Sequence, residues 1–168
     1  MLEKAVKILD SHRTMAIATN RPDGWPQNTV VGYANDGLLI YFMISRQSQK
    51  FENIQNDNRV ALAIAKEPAD FHQLKAVFAG AEASEVTNED QRQEAWRLLT
   101  NRHPNLLDYE MPTQSEAALM RAICRHVSIL DFTKGMGHAD ELTVGVGGVP
   151  AMEARRLDDW GLSELRTK

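Results

Sequence analysis

The chain has 168 residues, 43% of them apolar and 25% charged, which is an ordinary globular balance for one domain. That composition excludes a disordered or collagen-like chain, and a length of this size buries a core of its own. The net charge of −4 shows none of the basic excess expected of a nucleic-acid binder, and the single cysteine excludes an intramolecular disulfide or a CxxC site. Met1 to Asp10 mixes charges among its apolar residues, unlike a secretory leader, and Leu38–Ile44 is too short an apolar run to span a bilayer. A soluble cytoplasmic protein is expected, with no membrane and no nucleic-acid partner.

In chain order, Leu2, Val6 and Leu9 predict a short amphipathic helix. Met15 to Thr19 predicts a strand, and Pro22-Asp23-Gly24 a turn. Thr29, Val30, Val31 and Tyr33 resume β-rich composition. Asn35-Asp36-Gly37 signals a tight primed hairpin with positive φ at both central residues. Leu38 to Ile44 is apolar at every position and predicts a buried central strand. Phe51 and Ile54 predict a short helix within Ser45–Ile54, closed by Asn56-Asp57-Asn58. Val60 to Ile64 is a further strand.

Ala76 to Val86 predicts a long strand with Val77, Ala79, Ala81 and Ala83 on one face; Gly80 in its middle suggests a bulge or a close backbone approach. Asn88 to Gln91 opens a helix that stops before His103-Pro104. Thr113 and Glu116 form a second capping pattern, which predicts a helix through Ala117, Leu119, Met120 and Ile123. Val127 to Phe132 is the last strand. The remainder, glycine-rich and then charged, reads as a tail over 139–168 that docks on this domain or on a partner subunit, with the main domain at 1–138. Antiparallel strands joined by hairpins, with short helices between, predict a mainly β (β+α) protein, a closed or split β-barrel with helices outside.

Several chemistries lack support. Gly145-Val146-Gly147-Gly148-Val149-Pro150 has proline where a dinucleotide motif needs its third glycine, so it reads as a linker. The five histidines show neither HxxxH nor HxH spacing, and no metal site is expected. Gly135, Gly137 and His138 make either a simple turn or a place where amides and an imidazole meet. Cys124 reads as a small buried hydrophobe. Asp158-Asp159 reads as solvated charge. Ser45 to Lys50 differs. It leaves a buried strand and enters a helix, whose first-turn N–H groups and positive dipole end suit a phosphate. Arg46, Ser48 and Lys50 surround it, with Ser45, Gln47 and Gln49 as further donors.

Asp23-Gly24-Trp25-Pro26, Asp36-Gly37-Leu38-Leu39-Ile40-Tyr41-Phe42, Ser48-Gln49-Lys50-Phe51-Glu52-Asn53-Ile54 and Asn58-Arg59-Val60-Ala61-Leu62, in this order, resemble the pyridoxamine 5′-phosphate oxidase-like FMN-binding split-barrel family. Leu130 to His138 resembles a C-terminal signature of one flavoprotein branch. The resemblance implies a six-stranded antiparallel split β-barrel and a homodimer with two FMN sites at its interface. It implies that Lys50 and Ser48 hold the FMN phosphate and that Asn28, Thr29, Val30 and Val31 edge the isoalloxazine ring. Lys75, Lys134 and His138 would contact the cofactor, across the dimer. It further implies FMN-dependent oxidoreduction of a small molecule, with NAD(P)H as a donor; related barrels bind haem or deazaflavin, so a non-enzymatic storage or sensor module is the alternative, and a cofactor-free interaction domain a third. The chain departs from the family at Ile44, often threonine, and Gln49, often arginine. It ends Asp159-Trp160-Gly161-Leu162-Ser163-Glu164-Leu165-Arg166 rather than with an Arg-Leu-x-Pro type of ending, so vitamin B6 oxidase activity is not expected.

Overall fold

The computed structural model describes residues 1–145 and 150–157. Strands β1 (Thr14–Asn20), β2 (Pro26–Asp36), β3 (Leu39–Ser45), β4 (Arg59–Ala65), β5 (Lys75–Glu85) and β6 (Ala117–Asp131) are all antiparallel to their neighbours. They run in the order β3-β2-β1-β4-β5-β6, and β6 pairs back onto β3. Closure leaves these six strands without an exposed sheet edge along most of their length. Alternate residues turn inward: Met15, Ile17, Ile40, Phe42, Leu62, Ile64, Val77, Ala79 and Met120 fill the barrel.

The turns follow from their residues. Gly24 takes φ +87° between β1 and β2. Gly37 takes φ +58° between β2 and β3, while no non-glycine residue has positive φ among the described residues. The hairpin therefore places positive φ at its first central residue only, the pattern of a type II′ turn, and not at both as Asn35-Asp36-Gly37 suggests. β3 is apolar on both faces because it is covered twice. Ile40, Phe42 and Ile44 point into the barrel, and Tyr41 and Met43 pack under the helix α3 (Glu89–Arg102) with Leu98, Leu99 and Leu119.

α1 (Leu2–Asp10) buries Ala5, Ile8 and Leu9 against the barrel, and the Tyr33 hydroxyl donates to the Leu9 carbonyl at 2.6 Å. α2 (Gln49–Asn56) is capped by Ser48, and α3 by Asn88, whose side chain accepts from the Gln91 amide at 3.1 Å.

The expected helix over Ala117–Ile123 is a strand. The capping contacts do form: the Thr113 amide and hydroxyl both donate to Glu116 at 2.8 Å. One turn later the chain straightens, because β6 lies between β3 and β5 and its backbone groups are satisfied by both. Ala118, Leu119, Met120, Ala122 and Cys124 are buried on both faces, and a short apolar run of that kind fits helix or strand equally by pattern.

β6 has two roles along its length. Ala117 to Ile123 closes the barrel against β3, and His126 to Leu130 pairs with β7 (His138–Val144). Arg125 is the extra residue between them: Gly80 faces His126 and Ala81 faces Cys124. This bulge, signalled by Gly80, redirects β6 from the closed barrel to an extension. β7 then pairs with β8 (Pro150–Leu157). The boundary drawn at 138 thus falls at the first residue of a strand that continues the sheet. The linker residues 146–149 and the charged stretch from 158, with Asp158-Asp159, lie outside the described residues.

Candidate functional site

The barrel is split between β2 and β3. They pair only from Tyr33–Phe42 to Asp36–Leu39. Before Tyr33, β2 pairs with β1 alone; after Phe42, β3 pairs with β6 alone. One lip of the split therefore carries Asn28, Thr29, Val30 and Val31. The other carries Ser45 and leads through Arg46 and Ser48 into α2. Along β2, Asn28 and Val30 are exposed, whereas Thr29 and Val31 are partly buried, and Val31 packs on the core.

α2 is fastened to the first lip. The buried Asn53 amide donates to Thr19 Oγ1 at 2.9 Å and to Gln27 Oε1 at 3.1 Å. Two residues from Gln27, Thr29 Oγ1 is buried and has no hydrogen-bond partner among the described residues. A buried hydroxyl without a partner is costly, so this one calls for a partner that these strands do not supply.

At the start of α2 most side chains are committed. Ser48 Oγ donates to the Ser45 carbonyl at 2.7 Å and accepts from the Phe51 amide at 3.3 Å. Ser45 Oγ accepts from the Gln47 amide. Gln49 Nε2 donates to Glu52 and Asn53 at 3.0 Å each. Arg46 pairs with Glu85, donates to the Gln114 carbonyl at 2.6 Å and lies over the Phe51 ring. Lys50 alone of these cations makes no ion pair among the described residues. The amides of Gln49 and Lys50, ahead of the capped Phe51 amide, have no acceptor within the helix. Of the six side chains read from the sequence around this helix start, Ser45, Arg46, Ser48 and Gln49 are thus engaged within the chain.

Lys75, Lys134 and His138 are elsewhere. Arg59 faces Glu82 at the α2 end of β4 and β5, while Lys75 begins β5 beside Asp131. The seven residue steps from Glu82 to Lys75 span about 23 Å of strand. Lys134 Nζ and His138 Nε2 approach Asp140 at 3.4 and 3.1 Å, and Lys4 Nζ approaches Asp131 at 2.8 Å and Asp140 at 3.3 Å. Burial opposes ionisation of Asp131, yet its bonds from Lys4 and Thr133 hold the carboxyl down at about 2. Gly135 and Gly137 have positive φ, so this segment is the turn, with the imidazole inside an ion cluster. Within one chain these three residues do not reach the split.

Among the described residues, nothing fills the outer face beside the split. Ala18, Ala61 and Gly80 are cross-strand neighbours, as are Ala16 and Ala63. They floor a depression of about 470 Å³ rimmed by Asn28, Phe78 and His126. Val30 is 71% exposed and Phe78 42% exposed on this face. Cys124 is excluded as a nucleophile: it is buried, and burial pushes its thiol up to about 12. Among the described residues no three His, Cys, Asp or Glu side chains gather to hold a metal ion, and no helix is long and apolar enough to cross a membrane.

Residues 1–131 match the family model described as pyridoxamine 5′-phosphate oxidase. The chain belongs to the pyridoxamine 5′-phosphate oxidase family. A search of curated protein sequences finds no match. Among solved structures, this family member is similar to a haem-binding protein from Mycobacterium smegmatis, at 19% identity and TM-score 0.73 over 84% of this chain and 57% of that one. The chain thus spans little more than half of the mycobacterial protein. It is also similar to an FAD-binding protein from Mesorhizobium loti, at 20% identity and TM-score 0.62, covering 77% of this chain and 93% of that one. The haem storage protein HutZ from Vibrio cholerae follows at 18% identity and TM-score 0.63, covering 74% and 90%. At these identities the neighbours establish the fold, which the pyridoxamine 5′-phosphate oxidase family shares.

Sequence reading misses three residues of the site. Asn53 lies inside the quoted Ser-x-Lys-x-x-Asn stretch, but its role as the bolt between α2 and β2 needs the fold. Gln27 shows only as a polar residue on the inward face of a strand. Glu85 is 39 residues from the Arg46 it captures, and no spacing rule connects them.

Proposed function

We propose that the protein is an FMN-binding flavoprotein, an oxidoreductase that works as a homodimer in the cytoplasm on a small molecule, with NAD(P)H as the electron donor. The observation that carries this reading is the split between β2 and β3, with the unpaired Lys50 on one lip and the unsatisfied Thr29 hydroxyl on the other. Lys50 and the amides of Gln49 and Lys50 suit one phosphate, which favours FMN. The backbone of Asn28, Thr29, Val30 and Val31, unpaired on the side of the split, suits the polar edge of a flavin ring. FMN, when bound, supplies hydride or electron transfer; the protein's part is to hold and orient it and to set its electrostatics.

The same geometry supports a homodimer. Lys134 and His138 lie at the far end of the barrel, so they reach a cofactor in the split only from a second subunit. The alanine-floored face beside it, with Val30 and Phe78 exposed, suits such a contact. A second reading, haem storage or sensing, is favoured by the exposed His126 imidazole at the rim of that face and by the two haem-binding neighbours. The visible absorption spectrum of freshly purified protein, followed by titration with FMN, decides. Flavin bands or saturable FMN uptake are expected. A Soret band without flavin uptake favours haem, and a colourless protein that takes up no FMN overturns the proposal.

A further inference from the structure

Four lysines from three segments converge on one groove away from the split. Lys4 and Lys7 come from α1, Lys66 from the segment after β4 and Lys75 from the start of β5, around a volume of about 680 Å³. That is the size of a small-molecule site. Glu67 is the one carboxylate among the lining residues. Lys4 is neutralised by Asp131 and Asp140. Lys7, Lys66 and Lys75 are exposed and make no ion pair among the described residues. The chain as a whole carries −4, so this is a local reversal of sign held around a concavity. Such a concavity concentrates anions from solution.

A second observation points to a ligand. His12 lines the same groove. Its Nδ1 lies 2.7 Å from the Ile8 carbonyl, which only accepts, so Nδ1 carries the ring proton. Its Nε2 is buried and has no hydrogen-bond partner among the described residues. The ring thus has one nitrogen fixed by the helix and one unsatisfied.

We propose that this groove binds a small phosphorylated molecule carrying at least two negative charges. Lys7, Lys66 and Lys75 supply the charge, and His12 Nε2 accepts a hydrogen bond from a hydroxyl of the ligand. A concave site with charges on three sides fits a compact anion better than a flat or extended surface. In this assignment Lys75 serves the groove, and the site is distinct from the split that holds Lys50.

The test is calorimetric titration of the full-length protein with inorganic pyrophosphate at low salt, with and without saturating FMN. Saturable binding is expected in both. Lys7→Gln/Lys66→Gln should weaken it at least tenfold without moving the thermal midpoint, and Glu67→Gln should tighten it. Lys50→Gln should leave it unchanged. No saturable binding, no effect of the double substitution, or loss of binding on Lys50→Gln overturns the proposal. Binding abolished by FMN also overturns it, because the groove would then belong to the flavin site. Attachment to phosphatidylserine vesicles without pyrophosphate binding overturns it in favour of a membrane surface.

Discussion

The side-chain amide of Asn53 donates to Gln27 at 3.1 Å, and this bond holds the helix that carries Lys50 against the strand that carries Thr29. Asn53 also donates to Thr19, so its loss strands two polar partners in a buried place. Asn53→Ala should cost about 2–4 kcal/mol in urea unfolding, from two broken bonds and the unsatisfied groups left behind. FMN affinity measured under folding conditions should fall as well, since both lips lose their common anchor.

Lys50→Ala should weaken FMN by about tenfold to a hundredfold in a fluorescence titration, the usual worth of a charged hydrogen bond. Arg46→Ala should do the opposite of what its position in the sequence suggests. Its guanidinium is occupied by Glu85 and the Gln114 carbonyl, so the change should lower stability by about 1 kcal/mol and move FMN affinity by less than about threefold. Equal losses of FMN affinity in the two variants would put Arg46 back in the phosphate seat.

Acid should loosen the end of the barrel where α1 docks. The Asp131 carboxyl is held at about 2, against 3.8 for an unperturbed group. A depressed carboxylate stabilises the fold above its unfolded pKa and loses that contribution as pH falls through the folded one. Between pH 4 and pH 2 the protein should therefore lose about 2 kcal/mol from this group, on the scale of 1.36 kcal/mol per unit. Asp131→Asn should be less stable at pH 7 and should show a flatter stability profile across that acid window.

Gly32 sits against the His103 ring: a Cβ placed there would lie 3.2 Å from Cε1 and 3.3 Å from Nε2. The same Nε2 bonds the Tyr33 carbonyl at 3.0 Å. Gly32→Ala should push the ring off that carbonyl and cost about 1 kcal/mol. In a His103→Ala background the same substitution should cost close to nothing, and the double-mutant cycle measures the difference.

Cys124 should not react with a thiol reagent in the folded protein at pH 8, and should react at once in denaturant. Burial both blocks access and suppresses the thiolate. Rapid reaction of the native protein would mean that β6 opens locally.

Local signals carried most of the fold. The Gly24 and Gly37 turns, the Ser48 and Asn88 caps and the alternation along β5 each act over a few residues, so each is readable from a short window. Ala117–Ile123 was not readable, because the same apolar run suits a helix or a strand and the choice is made by β3 and β5, distant in sequence. The site divides in the same way. Lys50 and Thr29 were legible as residue types on their elements. The capture of Arg46 by Glu85, and the placing of Lys75 at the far end of β5, depend on register and could not be.

β3 finds its second partner in Ala117–Ile123, and Lys4 finds its acids at Asp131 and Asp140. During synthesis, then, the first five strands emerge with one seam still open and the first helix without its counter-charges. Only when β6 and β7 have left the ribosome can the seam be sealed and the helix be locked. Until residue 117 appears, the newborn protein is an unclosed sheet with the outer edge of β3 unpaired.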